Sequence, residues 1–157
     1  MKLTRKHVLD YLKEHNLMQV ATCGEVHPWI ASVYYSFDHD CNLYFLSSPT
    51  TIHCKQISQN PNVAVAVTSS NQNMSGLKKG LQIYGVAEKI SNSAKVKHAL
   101  KLWKDSLNVK NNELTHENMV KKIISGRMYK ISPKKIKFFN QELFKVKDGE
   151  EPMLILK

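Results

Sequence analysis

Residues 42–53 read NLYFLSSPTTIH, residues 63–67 read VAVAV, and residues 80–87 read GLQIYGVA. The first segment is an apolar strand that runs into a hydroxyl-rich turn and a helix start, and Asn60-Pro61 ends that helix. The other two segments are rich in β-branched residues, which is typical of strands. The pattern predicts a strand, a short helix over about 51–59, and two further strands at about 63–68 and 81–90.

The predicted helix start carries four hydroxyl side chains, on Ser47, Ser48, Thr50 and Thr51. The free N–H groups of a first helical turn point outward, and the helix dipole favours an anion there. The segment is therefore a candidate phosphate site. Serine and threonine are also the residues that cap ordinary helices, so simple capping is a second and commoner interpretation.

The composition is that of one globular domain over residues 1–157. Hydrophobic residues make up 42% and charged residues 23% of the chain, which is ordinary for a soluble protein. No apolar run approaches the roughly 20 residues that a membrane helix needs, and MKLTRK at the N-terminus lacks the apolar segment of a signal peptide. Cys23, Cys41 and Cys54 form no Cys-x-x-Cys pair and suggest a reducing compartment. We therefore expect a cytoplasmic protein without a membrane segment.

The formal net charge of +10 raises the question of nucleic-acid binding. Arginine is the residue that reads guanine edges, yet the sequence contains only Arg5 and Arg127, and its lysines are dispersed. We do not expect nucleic acid to be a partner. A basic surface of this kind would still attract small anionic ligands such as phosphates.

The rest of the sequence reads as short strands with a few helices. Thr4 is the expected cap of a helix over about 5–15, and strands follow at 17–22, 28–37 and 43–46, the last two as a hairpin. In the 28–37 strand the expected core face carries Trp29, Ala31, Val33, Tyr35 and Phe37. A polar loop is predicted at 69–79, and a strand over 128–139 is predicted to bend near Pro133. Between them we predict two helices. The first runs through Val96, Ala99, Leu100, Trp103 and Leu107, and the second runs through Met119, Val120, Ile123 and Ile124 and is capped by Gly126.

Five or six strands linked mainly by hairpins, with helices inserted between them, predict a mainly β protein. The expected architecture is a closed or split antiparallel β-barrel. A parallel doubly wound sheet would need a helix between most of its strands, and this sequence does not supply them.

Residue patterns for catalysis or metal binding are weak. The sequence has no Gly-x-Ser-x-Gly elbow and no His-Glu-x-x-His pair, and residues 75–80 lack the spacing of a P-loop. The cysteines lie in apolar strand or helix patterns, where we expect buried, inert thiols. We therefore predict no metal site and assign no catalytic residue.

Three groups of polar residues remain after these exclusions. They are the hydroxyl-rich helix start, Gln82, and the polar face of the 28–37 strand with Ser32, Tyr34 and Ser36. Together they would suit a flat, phosphate-bearing ligand that accepts and donates hydrogen bonds.

The sequence resembles the flavin-binding split-barrel superfamily, whose best-known member is pyridoxamine 5′-phosphate oxidase. The resemblance rests on the order of elements over most of the chain, on NP-x-VAVAV at 60–67 and on LQIYGVAEKI at 81–90. Within the superfamily it is most similar to short bacterial proteins that share TTIH (50–53), KGLQIYG (79–85) and IKFFNQELF (136–144).

The resemblance implies that FMN lies in a groove at the interface of a homodimer. The residues implied to hold its phosphate are Ser47, Ser48, Thr51 and His53, with Lys79 as a further partner from the other subunit. The residues implied to contact the isoalloxazine ring are Ile30, Ala31, Ser32, Val33 and Tyr34 on the second strand, and Gln82 on the later strand is implied to contact the cofactor.

This sequence departs from the oxidase where the oxidase is cationic. The oxidase has Arg and Lys on its second strand and helix start, where this chain has residues 30–35 and 51–53, and its arginine-rich C-terminal signature is missing here. We therefore expect weaker phosphate binding, since a neutral His lacks the permanent charge of Arg, and do not expect vitamin B6 oxidation.

The resulting hypothesis is a flavin-dependent oxidoreductase that acts on an unidentified small molecule. One alternative is a non-enzymatic flavin carrier or sensor with the same fold. A second is a basic nucleic-acid-binding barrel without flavin. A haem-handling role, known among relatives of this fold, has no dedicated motif in the sequence.

Overall fold

The computed structural model of the chain describes residues 1–147 and 149–157. In chain order the helices and strands are α1 (Arg5–Lys13), β1 (Leu17–Cys23), β2 (Pro28–Phe37), β3 (Leu43–Ser47), α2 (Ile52–Gln59), β4 (Asn62–Val67), β5 (Lys79–Lys89), α3 (Ser93–Ser106), α4 (His116–Val120), β6 (Arg127–Asn140) and β7 (Met153–Ile155). All strand pairs are antiparallel, in the order β3-β2-β1-β4-β5-β6-β7. None of the helices described is long and apolar enough to cross a membrane.

Pairing between β3 and β6 closes six of the strands into a barrel. Leu43 lies opposite Ile131, and Ser47 lies opposite Arg127. The predicted mainly β fold with an antiparallel barrel and inserted helices is thus confirmed. The short strand β7 is an addition that the sequence pattern did not predict, and it pairs only with β6 among the described residues.

The barrel is split between β2 and β3. Their ladder covers only Tyr35–Phe37 against Leu43–Phe45. Before Tyr35, β2 pairs with β1 alone, and after Phe45, β3 pairs with β6 alone. The first half of β2 and the segment that leads from β3 into α2 therefore border an opening in the sheet.

The core fills the inside of the barrel with apolar side chains from alternate strand positions. Helix α2 packs against β1 and β2 and contributes Cys54 and Ile57 to this core. Helices α3 and α4 cover the outer face of β3 and β6, where Tyr44 and Met128 form a second cluster with residues of both helices. Burial on this scale is the main favourable contribution to folding.

The predicted two faces of β2 are observed, with two corrections. Val33, Tyr35 and Phe37 pack in the core, but Trp29 is 42% exposed because the first half of β2 extends past the closed part of the barrel. Ser36, on the predicted polar face, is buried because α3 packs over this part of the sheet.

Two helices are shorter than predicted. α1 ends at Lys13 with Glu14 as its C-cap, before the expected end at His15. α4 ends at Val120, so Gly126 does not cap it. The N–H groups of Ile123 and Ile124 both bond to the carbonyl oxygen of Asn118 and close a turn there.

Candidate functional site

An open groove of about 560 Å³ crosses the outer face of the sheet. The strand register places Gln19 of β1 opposite Ala66 of β4, Ala66 opposite Gln82 of β5, and Gln82 opposite Lys137 of β6. Side chains at paired positions point to the same face of a sheet. The four side chains thus form one row across the groove.

The floor of the groove is made of small side chains. Ala21 lies directly opposite Ala64, and Ala66 is in the neighbouring row. In β4 these alanines alternate with Val63, Val65 and Val67, which point into the core. Alternation of small and large residues therefore leaves a flat apolar surface on one face, while the other face fills the barrel.

The walls of the groove combine apolar and polar groups. Ile30, Tyr84 and Met153 contribute apolar surface, and the amides of Gln19 and Gln82 contribute hydrogen-bonding groups. Lys135 and Lys137 lie at the β6 side of the groove. Among the residues that the structure describes, no acidic residue lines the groove. Lys137 is paired with Glu151 at 3.1 Å. A planar ligand with polar edges and a negative charge would fit this surface.

A second cavity of about 250 Å³ adjoins the groove and shares Ala66 and Gln82 with it. The loop between β4 and β5 forms one side of this cavity. The side chain of Gln72 is tied to both the N–H and the carbonyl oxygen of Lys79. The Lys79 ammonium itself pairs with Glu142 at 2.6 Å. Its charge is therefore already balanced by an acidic residue of the same chain.

The predicted phosphate residues form a connected polar cluster at the start of α2. His53 Nε2 lies 2.7 Å from Ser47 Oγ and 3.3 Å from Thr51 Oγ1. The Thr51 hydroxyl donates to the Ser48 carbonyl oxygen and accepts the N–H of Cys54, so Thr51 is the N-cap of α2. His53 is 8% exposed. The capping interpretation is thus correct for Thr51, and the cluster borders the split in the sheet.

Cys54 lies beside this cluster and is buried, as predicted. Burial raises the pKa of the Cys54 thiol, but four neighbouring polar side chains outweigh burial and lower it to about 7. These neighbours are His53, Thr51, Tyr129 and Ser47. Cys41 follows the prediction, because burial raises its pKa to about 11. Cys23 is exposed, since it ends β1 at the barrel rim.

The predicted flavin-contact residues separate into two sets. Ile30, Ser32, Tyr34 and Gln82 are exposed, and Ile30 and Gln82 line the groove. Ala31 and Val33 alternate with them on β2 and are half-buried, with Val33 packed against the core. Ser36 lies nearby but is closed off from solvent, and its hydroxyl has no partner among the described residues.

Several groove residues were not predicted from the sequence. They are Gln19, Ala21, Ala64, Ala66, Tyr84, Lys135, Lys137 and Met153. The alternation of Ala and Val in β4 was the available signal for the groove floor. Lys135 and Lys137 come from a strand whose partners lie far away in the sequence, and no local pattern indicates their position.

No group of three or more His, Cys, Asp or Glu side chains suited to a metal ion occurs among residues 1–147 and 149–157.

The fold is a split antiparallel β-barrel, and comparison with known proteins agrees. The sequence profile described as pyridoxamine 5′-phosphate oxidase matches residues 4–139. The chain belongs to this family. No curated protein matches the sequence.

Solved structures show the same fold at low sequence identity. A conserved hypothetical protein from Mycobacterium tuberculosis superposes with a TM-score of 0.71 and 13% identity, over 92% of this chain and 89% of that chain. An FAD-binding protein from Mesorhizobium loti superposes with a TM-score of 0.65 and 17% identity, over 85% of this chain and 90% of that chain. A haem-binding protein from Mycobacterium smegmatis superposes with a TM-score of 0.71 and 12% identity, over 99% of this chain and 59% of that chain. At these identities the similarity establishes the fold alone.

Proposed function

We propose that the protein binds FMN as a homodimer and acts as a flavin-dependent oxidoreductase on a small molecule. The observation that carries the proposal is the groove with its alanine floor, in which Gln19 and Gln82 place two amides at the edge of a flat apolar surface. Membership of the family and the FAD-binding relative support the choice of a flavin.

The proposal assigns residues of the chain to both parts of FMN. Ala21, Ala64 and Ala66 would lie against the flat ring, and Gln82 would bond to its polar edge. Ser47 and His53 would hydrogen-bond to a phosphate at the start of an eight-residue helix. Thr51 would join them by exchanging its bond to the Ser48 carbonyl oxygen for one to the phosphate. When bound, the flavin would supply the redox chemistry, while the protein positions it and tunes its potential.

Flavin retention after incubation with excess FMN and desalting tests the proposal. The absorption spectrum of the wild-type protein should show about one flavin per chain. Ala64→Leu should abolish retention, because the larger side chain occupies the groove floor. Ala94→Leu makes the same substitution at an exposed position of α3 and should retain flavin. Equal retention by Ala64→Leu and wild type would show that the ring does not lie in the groove.

The phosphate site has a separate test. Combining Thr51→Ala with His53→Ala should weaken FMN binding roughly tenfold, since phosphate hydrogen bonds are charge-assisted. Riboflavin lacks the phosphate, so its affinity should not change. A parallel loss of both ligands would indicate that the two substitutions act by damaging α2.

The same preparation distinguishes the other roles. Incubation with haemin tests the ligand named for the Mycobacterium smegmatis relative. Reduction of the bound flavin by NADH or NADPH, followed by reoxidation in air, supports an oxidoreductase. A flavin that binds tightly but exchanges no electrons with these donors favours a carrier or sensor.

A further inference from the structure

A separate cavity of about 280 Å³ lies between the end of β5, α3, α4 and the start of β6. It shares no lining residue with the groove. The bottom of the cavity is apolar, because Val96, Met119 and Met128 are buried around it and Ile90 is half-buried. Methionine side chains adapt to ligands of different shape. The cavity is large enough for the hydrocarbon part of a small organic molecule.

The rim of this cavity is basic. Lys89, His116 and Arg127 line it, and the described lining contains no acidic residue. Six lysines elsewhere pair with carboxylates: Lys6, Lys13, Lys79, Lys101, Lys121 and Lys137. Neither Lys89 nor Arg127 forms an ion pair with a described residue. Positive charge is therefore concentrated above an apolar surface.

The guanidinium of Arg127 is fixed in position by the backbone. Arg127 Nη1 donates to the carbonyl oxygens of Ile124 at 2.6 Å and Gly126 at 2.8 Å. Its other nitrogens donate to none of the described residues. A planar guanidinium held in this way loses little conformational freedom when it binds a carboxylate through its free N–H groups.

We propose that this cavity binds a small organic anion with an apolar body, of the class of medium-chain or aromatic carboxylates. The carboxylate would meet Arg127 and Lys89 at the rim, and the apolar body would contact Met119 and Met128. The site is independent of the flavin proposal, because no residue assigned to flavin lines this cavity.

Octanoate and octanol serve as probes, since they share the chain and differ in charge. NMR of protein labelled at the methionine methyl groups locates the binding. Met119 and Met128 line the cavity, whereas Met153 lines the groove and Met74 lines the cavity beside Lys79. Octanoate should shift the signals of Met119 and Met128 and leave those of Met153 and Met74 in place.

Two variants test the role of the charges. Lys89→Gln removes one cation, and Arg127→Lys keeps the charge but loses the fork of N–H groups. Each should weaken octanoate binding about five- to tenfold, the loss expected for one charge-assisted contact. Lys97→Gln on α3 is the control, because Lys97 lies outside this lining. It should bind octanoate like the wild type.

Three results would overturn the proposal. The first is binding of octanol as tight as that of octanoate, which would mean that the charge plays no part. The second is a shift of Met153 in place of Met119 and Met128. The third is wild-type affinity in both Lys89→Gln and Arg127→Lys.

Discussion

The Cys54 thiol lies at the point where helix α2 meets the end of the barrel. Burial raises its pKa, but the neighbouring side chains of His53, Thr51, Tyr129 and Ser47 favour the thiolate and bring the pKa to about 7. An adjacent polar network outweighs desolvation here because several groups interact with one sulfur. Such a thiol is ionised to a substantial extent at neutral pH.

This pKa predicts a pH-dependent stability. An acid whose pKa is lower in the folded chain stabilises the folded state at high pH, and this stabilisation is lost as the pH falls through the folded value. The folded value is about 7 and the ordinary value 9.0. The free energy of unfolding of the wild type should therefore rise between these pH values, by an amount on the order of 2 kcal/mol. Denaturant unfolding at a series of pH values measures this rise.

Cys54→Ser should remove the rise, and Cys23→Ser, at an exposed position, should preserve it. Cys41 opposes the rise only near pH 9, because its pKa is raised to about 11 and its contribution begins as the unfolded thiol, with an ordinary value of 9.0, ionises. A flat wild-type profile between pH 7 and 9 would refute the assignment of a thiolate to Cys54.

Strands β5 and β6 bend together where their register shifts, between Tyr84 and Gly85. Gly85 lies opposite Pro133, which cannot donate a ladder hydrogen bond. A Cβ atom on residue 85 would come within 2.9 Å of both Ile131 Cγ2 and the Ser132 carbonyl oxygen. The absence of a side chain at this position thus allows the two backbones to approach each other at the bend.

Gly85→Ala should destabilise the protein by about 1–3 kcal/mol, because backbone atoms on β6 cannot move away as a flexible side chain could. Urea unfolding measures the change. Gly76→Ala is the matched control, since its nearest contacts begin at 3.5 Å, and it should stay within about 0.5 kcal/mol of the wild type. Equal stability of the two variants would contradict a tight bend.

The strands could be predicted from sequence because their patterns are local. Each strand signal is contained in a short stretch of sequence. The signals are the alternation on β2, the repeat of Val and Ala on β4 and the proline in β6. The end of α4 could not be predicted, because its apolar positions continue at helical spacing through Ile124 while the backbone leaves the helix after Val120 and Lys122 takes a φ of 58°. β7 is three residues long and depends on its pairing with β6, which no local pattern reveals.

At the scale of the molecule, the outer face of the sheet carries large exposed apolar side chains. Ile30 is 64% exposed, and Tyr34, Met153 and Ile155 are also exposed on this side. Contiguous apolar surface of this kind marks an interaction site. It is the face for which the homodimer is proposed.

Ile30→Glu should weaken self-association at least tenfold, because a charge at the centre of an apolar interface loses its hydration there. Sedimentation velocity over a range of protein concentrations measures the effect. Ile123→Glu is a matched control at 63% exposure in the segment after α4, away from β2 in the sequence. A wild-type protein that stays monomeric at high concentration would refute the dimer.

The candidate site could be predicted only in part, and the reason is topological. The helix start with Thr51 and His53 is continuous in the sequence, and its polar cluster was accessible to local reasoning. The groove is assembled from six strands, so the neighbours of Ile30 and Gln82 depend on register. The register is set by pairing across the whole sheet. The positions of Gln19, Lys135 and Met153 relative to these residues therefore required the structure.

The closure of the barrel between β3 and β6 also constrains how the chain can fold during its synthesis on the ribosome. Leu43–Ser47 is synthesised well before its partner segment, Arg127–Ile131. Until then one edge of β3 has no strand to pair with, and open strand edges attract other chains. Pairing of segments so far apart also makes folding slow. A ribosome stalled before residue 127 would thus expose a nascent chain whose barrel cannot close, and such a chain would need the protection of a chaperone until translation resumes.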